Sequence, residues 1–468
     1  LVSRSVTNPA GERIAALAFS YDPHGRVATI HDAATGTTRY AYTAADEVAS
    51  ITSPAADDAS PPQVTRFAYD ARGRETSVVL PDGGRVETRY HRTGDIARQW
   101  GARTYPVEYT YDTRGRLRTM TTWKEWDPET GRGISGAAVT RWETNAAGLV
   151  SRKQYAYRSE ADFDPGPVYT YTPAGRLASR TWARGVRTDY RYNNAGDRTE
   201  VDYSDSTADV SYSYDRQGRE ETVTDASGTR VFAYEAGVRV RETYASSAIP
   251  ALAGRSVRRG LDAFGRTRET AVEDPDGARV YAAFFEYDDP GTGRETGRLT
   301  AVRHGSFTHR YHYQPDSDRV ERVVTSNPYQ PVLTVRKTRD RLDRLTSIAT
   351  RTRTGAERSF AYTYNTANQR IRVEREDGSY WQYAYDPLGQ VTGGTRFDAA
   401  GAPISGHRFG YRFDAIGNRV SSSRGSEPAS RESTYAPNSL NQYEAIHHSR
   451  SIAITGSAHL DADVTVNG

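Results

Sequence analysis

The chain has 468 residues and no cysteine, which excludes disulfides and thiolate metal sites. Methionine occurs once, at Met120, and the first residue is Leu1. Both features are expected of a piece cut from a longer protein, so any signal peptide would lie outside it. Long apolar runs are also missing: none approaches the roughly 18 residues that a membrane span needs. No sign of charge predominates, since 62 Lys and Arg stand against 59 Asp and Glu, for a formal net charge of +3. The charges are interspersed, without a basic block, which argues against a nucleic-acid partner.

Aliphatic bulk is scarce. Leu, Ile, Val and Phe make up about 16% of the chain, below the roughly 20% that flags disorder when net charge is high. Here net charge is low, and 32 tyrosines supply the missing apolar surface. Tyrosine favours strands, buries a large ring and keeps its hydroxyl wet or hydrogen-bonded. The composition therefore predicts an ordered all-β protein with thin, half-wet sheets.

What the sequence has in abundance is a repeat, and internal repeats decide the architecture. An aromatic residue, Asp, two variable residues, Gly and Arg occur at Tyr21-Asp22-Pro23-His24-Gly25-Arg26. The pattern returns at Tyr69-Asp70 with Gly73-Arg74, Tyr111-Asp112 with Gly115-Arg116, and Tyr214-Asp215 with Gly218-Arg219. Later copies are Tyr385-Asp386 with Gly389-Gln390 and Phe413-Asp414 with Gly417-Asn418. Looser copies are anchored at Tyr42, Tyr90, Tyr171, Tyr192, Tyr234, Leu261, Tyr287, Tyr313, Tyr364 and Tyr435. Roughly 18 units fill residues 1–443, and residues 444–468 read as the start of a following β segment that is cut short.

Each unit reads as a β-hairpin. An aromatic-x-aromatic pair such as Tyr109/Tyr111 or Tyr383/Tyr385 precedes the turn, and a spacing of two sets both rings on one face. Asp-x-x-Gly is turn chemistry, because Asp bonds the backbone two residues on and Gly accepts a positive φ. Alternating residues such as Arg26-Val27-Ala28-Thr29-Ile30 then form the return strand, and a second turn follows, as at Asp82-Gly83-Gly84. Residues 54–62, 123–138 and 162–167 read as loops, and 245–260 and 325–331 as insertions between units. Almost no helix is expected.

The Tyr-Asp-x-x-Gly-Arg units, from about residue 19 to 443, resemble the YD repeats of the Rhs family, and the segment from Tyr435 to Tyr443 resembles an Rhs segment too. That family includes bacterial Rhs polymorphic toxins, the cocoon subunits of Tc toxins, and the teneurins with their YD shell. The resemblance implies one continuous spiralling sheet around a hollow interior, either an open-ended shell or a barrel-like cocoon fragment. It implies a structural shell segment of a secreted or surface bacterial protein, enclosing or displaying a C-terminal cargo or toxin domain. The alternative is an extracellular adhesion module that binds carbohydrate or protein. Expected partners are the flanking shell and C-terminal domain of the same polypeptide, or a glycan or cell-surface protein under the adhesion reading. The family's Asp-Pro-x-Gly-Leu self-cleavage segment is absent from this sequence. Roughly 36 strands at about 4.8 Å spacing give a sheet edge of about 170 Å, enough for one to two turns of an open-ended shell.

No enzyme, cofactor or metal site is expected. His304, His309 and His312 cluster, but on a strand His309 and His312 face opposite ways, as do His447 and His448. Gly291-Thr292-Gly293-Arg294-Glu295-Thr296-Gly297 looks like a dinucleotide loop, yet its spacing is wrong and no helical pattern follows. The three lysines are not placed for a phosphate loop, and no Gly-x-Ser-x-Gly elbow occurs. Asp22, Asp70, Asp112, Asp215, Asp386 and Asp414 recur identically, whereas catalysis needs one asymmetric site. They read as turn caps or as partners of the following Arg. Tyr and Arg on a concave wall read chiefly as cross-strand ladders, with sugar or peptide binding as the functional alternative.

Overall fold

The computed structural model describes residues 2–7, 11, 13–288, 297–425, 430–438 and 440–448. Among these, 37 strands belong to one sheet. Consecutive strands pair antiparallel, as in Arg13–Tyr21 with Val27–Asp32 and Glu75–Val79 with Arg85–Tyr90. Among the described residues the sole helical element is the single turn Pro250–Leu252.

Local chemistry explains the hairpin. In the first complete copy the amide of Gly25 donates to the carbonyl of Asp22 at 2.9 Å, and the amide of Asp22 donates to the carbonyl of Arg26 at 2.8 Å. Gly25 has φ 79, Gly73 73, Gly115 77, Gly218 75, Gly389 82 and Gly417 88. The turn is thus Asp-x-x followed by a left-handed residue, the three-residue hairpin connection with a one-residue bulge. The pairing register accordingly shifts at each anchor, between Ser20 and Tyr21, Thr110 and Tyr111, and Ser213 and Tyr214. Looser copies place Asp46, Asp343, Asn368 and Asn441 in the same slot at φ 61 to 69, since Asp and Asn tolerate this region best among residues with a Cβ.

Little of the chain is deeply buried. The buried apolar residues are mostly small, Ala271, Ala283 and Ala301 among them, with Trp100 and Phe232 the largest. A sheet with so thin a core takes its order from pairing along the sheet, and each hairpin depends on its neighbours.

Two compact units divide the chain. The first comprises Leu1–Tyr40, Ser53–Ser60 and Thr140–Glu357, and the second Ala41–Thr52, Pro61–Val139 and Arg358–Gly468. Each unit brings together segments some 300 residues apart. In the first, Arg13 pairs with Asp316, 303 positions away. There too the amide of Arg341 donates to the carbonyl of Ala56, and its guanidinium meets Asp58 at 2.7 Å. In the second, the amide of Arg103 donates to the carbonyl of Pro387 and the amide of Ala415 to that of Lys124, each at 2.9 Å. Lys124 Nζ reaches the carbonyl of Pro437, 313 positions on, at 2.6 Å. Arg341, Pro387 and Ala415 each follow the turn-opening Asp, so this turn position carries the distant contact in both units.

Two segments expected as loops are strands. Residues 123–138 lie mostly in Leu117–Asp127 and Arg132–Thr144. Their Gly-rich composition has a packing cause: a Cβ at Gly131 would run into the Trp100 ring, and one at Gly133 into Trp123. Residues 162–167 lie in Asp162–Tyr171. That strand absorbs Pro165 through two register shifts against Val150–Ser159, and Gly166 lets it pass close to the carbonyl of Lys153. The expected breaks at 54–62 and 325–331 fall on chain between strands, at 56–61 and 327–330, while 245–260 includes the ends of two strands on either side of the helical turn. The strand Tyr443–His448 closes a hairpin with Arg431–Pro437, so 444–448 continue the repeat and 449–468 lie outside the described residues. Residues 289–296, which hold most of the glycine motif from Gly291 to Gly297, also lie outside them.

Gly115 tests the turn. A Cβ there meets nothing within 4 Å, so Gly115→Val isolates backbone strain and should cost about 1–3 kcal/mol. Gly115→Asn should cost much less, because the chain already holds Asn at this slot. Denaturant melting of both variants checks this, and equal losses would rule out the positive-φ explanation.

Candidate functional site: a relay of Asp, Arg and Tyr between hairpins

Each Asp of the motif works with both of its oxygens. Asp70 Oδ1 accepts the amides of Arg72 at 2.8 Å and Arg74 at 3.1 Å, while Oδ2 accepts Arg74 Nε at 2.7 Å. The same 2.7 Å side-chain bond joins Arg26 to Asp22, Arg116 to Asp112, Arg219 to Asp215, Arg266 to Asp262 and Arg344 to Asp340. Asp386 and Asp414 cap their turns in the same way, but their fifth residues are Gln390 and Asn418, which donate a neutral amide at 2.9 and 2.8 Å.

The anchor tyrosine completes the arrangement across the hairpin boundary. Tyr90 Oη donates to the carbonyl of Glu75, the residue after Arg74, at 2.7 Å. Tyr111 binds Ile96, Tyr214 binds Arg198, Tyr234 binds Glu220 and Tyr385 binds Arg370 in the same way. Tyr69, Tyr171, Tyr192, Tyr287 and Tyr313 do likewise toward Val48, Val150, Leu177, Thr267 and Leu299. Leu299 follows Arg298, and in the other nine cases the acceptor follows the fifth position of the preceding turn. The Arg at that position also covers the incoming ring: Arg74 lies 4.5 Å from the Tyr90 centroid, Arg219 4.4 Å from Tyr234 and Arg266 4.1 Å from Tyr287. One Arg therefore neutralises the Asp of its own turn and makes a cation–π contact with the Tyr of the next. Phe413, with no hydroxyl, cannot make the tie.

The relay shifts proton affinities in both directions. The Arg74 guanidinium, aided by the amides of Arg72 and Arg74, holds the Asp70 carboxyl down at about 2. The main-chain amides of Arg116 and Arg219, with their guanidinium groups, hold Asp112 and Asp215 low as well. Partial burial, reinforced by Glu75, pushes the phenols of Tyr69 and Tyr90 up.

His309 and His312 take different faces of the Phe307–Tyr313 strand, and pairing with the preceding strand brings His304 and His309 together, Nε2 to Nε2 at 3.0 Å. His309 Nδ1 lies 2.9 Å from Thr325 Oγ1, and burial followed by His304 lowers its proton affinity. Among the described residues, no three His, Cys, Asp or Glu side chains are placed to hold a metal. No helix among them is long and apolar enough to cross a membrane.

Each unit carries a cleft. The one in the first unit, about 760 Å³, is lined by charged residues. Three of its aspartates are matched by arginine: Asp58 by Arg341, Asp340 by Arg344 and Asp343 by Arg319. The one in the second unit, about 460 Å³, is largely apolar and contains Trp100, Trp126 and Phe413.

A sheet made of copies of one hairpin, tied through Tyr, Asp and Arg, is the class of fold the structure shows. The family model named RHS Repeat matches residues 21–57, and that match together with the fold supports an Rhs/YD-repeat protein. The fold is similar to that of a chain in the Photorhabdus luminescens Tc holotoxin pore, with a TM-score of 0.58 and 13% identity over 95% of this chain and 25% of that one. It is also similar to the crystal structure of TcdB2-TccC3-Cdc42 (TM-score 0.55, 13% identity, 93% of this chain and 28% of that one). The TcdB2-TccC3 crystal structure gives a TM-score of 0.53 at 13% identity, over 91% of this chain and 27% of that one. At such identity the likeness concerns the fold. The chain spans about a quarter of the length of these chains. No curated protein matches it in sequence.

Two measurements follow from the relay. Tyr90→Phe keeps the ring under Arg74 and removes only the hydroxyl, so denaturant unfolding should show a loss of about 0.5–1.5 kcal/mol. In the acid range, the lowered carboxyls favour the folded state above the unfolded value of about 4, and that stability is lost as pH falls toward about 2. The raised phenols contribute below about pH 10 and lose their contribution as pH rises through their folded values. Carboxyl NMR titration should place Asp70 at about 2, and Asp70→Asn should flatten the acid limb of the stability curve. An ordinary Asp70 midpoint would refute this account.

Proposed function

We propose that this chain is a non-catalytic wall segment of a secreted or surface bacterial Rhs-type shell. Within the whole polypeptide, the array of residues 1–443 encloses or displays a C-terminal cargo or toxin domain. The observation that carries this reading is the relay itself. The Asp residues that would be candidate acids are occupied, copy after copy, in capping a turn and in most copies binding an Arg. The Tyr21, Asp22, Gly25 and Arg26 set and its counterparts are on this view turn elements of the wall and not catalytic groups. Repetition of one tie produces a long, stiff sheet from a chain with a thin core, which is what an enclosing wall requires. The fold likeness to Tc toxin chains supports the same reading, and this chain supplies only a part of such a wall.

Limited proteolysis of the native polypeptide that carries this chain, with mass spectrometry of the segments after Gly468, tests the proposal. A downstream segment should survive digestion until the array is denatured. Immediate cleavage of that segment, with the array intact, would exclude enclosure.

A further inference from the structure

The cleft of the second unit differs from its surroundings in charge as well as in apolarity, and the two differences coincide. Its walls include Trp126, Phe413, Pro106 and Leu388. Its size, about 460 Å³, falls in the range of small-ligand sites, roughly 300–1,000 Å³. Four charged residues line it: Arg85, Glu87, Asp386 and Asp414. Arg85 lies 3.4 Å from Glu87, whose other oxygen meets Arg89 at 3.3 Å. Asp386 and Asp414 are the two strict-motif aspartates whose fifth residue is not Arg. Gln390 and Asn418 satisfy their hydrogen bonds without supplying a positive charge. Among the nearby cations, Arg103 pairs with Asp82 at 2.7 Å, and Lys124 Nζ donates to the carbonyl of Pro437. The cleft thus combines aromatic walls with two carboxylates that form no ion pair among the described residues, whereas the charged cleft of the first unit has its motif aspartate, Asp340, paired with Arg344.

We propose that the second-unit cleft binds a small organic cation, an alkylammonium whose apolar body packs on Trp126 and Phe413. Its charge replaces the arginines missing from the copies at Asp386 and Asp414. Aromatic faces attract such cations through the ring quadrupole, and the attraction is stronger in a partly dry site. Carboxylates at the margin add a charge that selects against neutral molecules of the same shape.

The repeat supplies conservative variants for the test. The chain already uses an Asn–Gln pair in the same turn positions, Asn365 with Gln369 at 2.8 Å, and Asn365 Oδ1 accepts the amide of Gln369. Asp386→Asn therefore removes charge and keeps the cap. Gln390→Arg restores the pair seen at Asp70 and Arg74, so it should hold or raise stability while neutralising the site. Choline and its uncharged carbon isostere dimethylbutanol are the probes, titrated calorimetrically into the whole chain. Choline should bind saturably, with dimethylbutanol at least about tenfold weaker. Asp386→Asn with Asp414→Asn, and separately Gln390→Arg, should each weaken choline about tenfold without lowering the melting temperature. Equal binding of both probes, no saturable choline binding, or unaltered affinity in the folded variants would overturn the assignment.

Discussion

The motif arginine bonds in two directions at once, and the order of the sheet depends on this. Toward its own turn it closes on the Asp carboxylate, which already holds two backbone amides. Toward the next hairpin it covers the ring of the anchor tyrosine, whose hydroxyl bonds to the carbonyl of the residue after the arginine. A planar guanidinium serves both contacts, offering donors at its edge and a flat face to the ring. Lysine would supply a point charge without that geometry.

This tie substitutes for a deep core. The buried apolar residues are few and mostly small, so no single hydrophobic centre organises the molecule. Order passes from one hairpin to the next through short, repeated contacts, and each copy needs only part of the set. Copies with Thr43 and Glu47, or with Asn365 and Gln369, keep the turn and the tyrosine tie without the ion pair. The repeat therefore tolerates variation in sequence, and Gln390 and Asn418 in place of Arg leave two carboxylates, in no ion pair among the described residues, beside an aromatic cleft.

Contacts between residues about 300 positions apart have a different character from those of the relay. They run through main-chain atoms of the residue after the turn-opening Asp, as at Arg341, Pro387 and Ala415, and through side chains with little in common. Because a backbone amide or carbonyl needs no particular side chain, these contacts leave almost no mark on composition.

The sequence by itself determined the hairpin, its turn and the all-β class, because those follow from interactions within about five residues. Asp capping, positive φ at Gly and alternation along strands are local properties, readable at Asp22-Pro23-His24-Gly25. It also made the pairing of Asp with Arg a defined alternative, since both lie in one turn. What Arg touches beyond its own turn, and where the tyrosine hydroxyl goes, depended on how neighbouring hairpins align, and only the tertiary structure decided that. The glycines at 131 and 133 read as loop because their reason, the rings of Trp100 and Trp123, is contributed by side chains whose placement composition does not reveal. His304 and His309 meet for the same cause: strand pairing, rather than spacing along the chain, sets the distance between their nitrogens. The grouping of Asp386 and Asp414 with Trp126 joins residues more than 250 positions apart, and no local rule reaches that far.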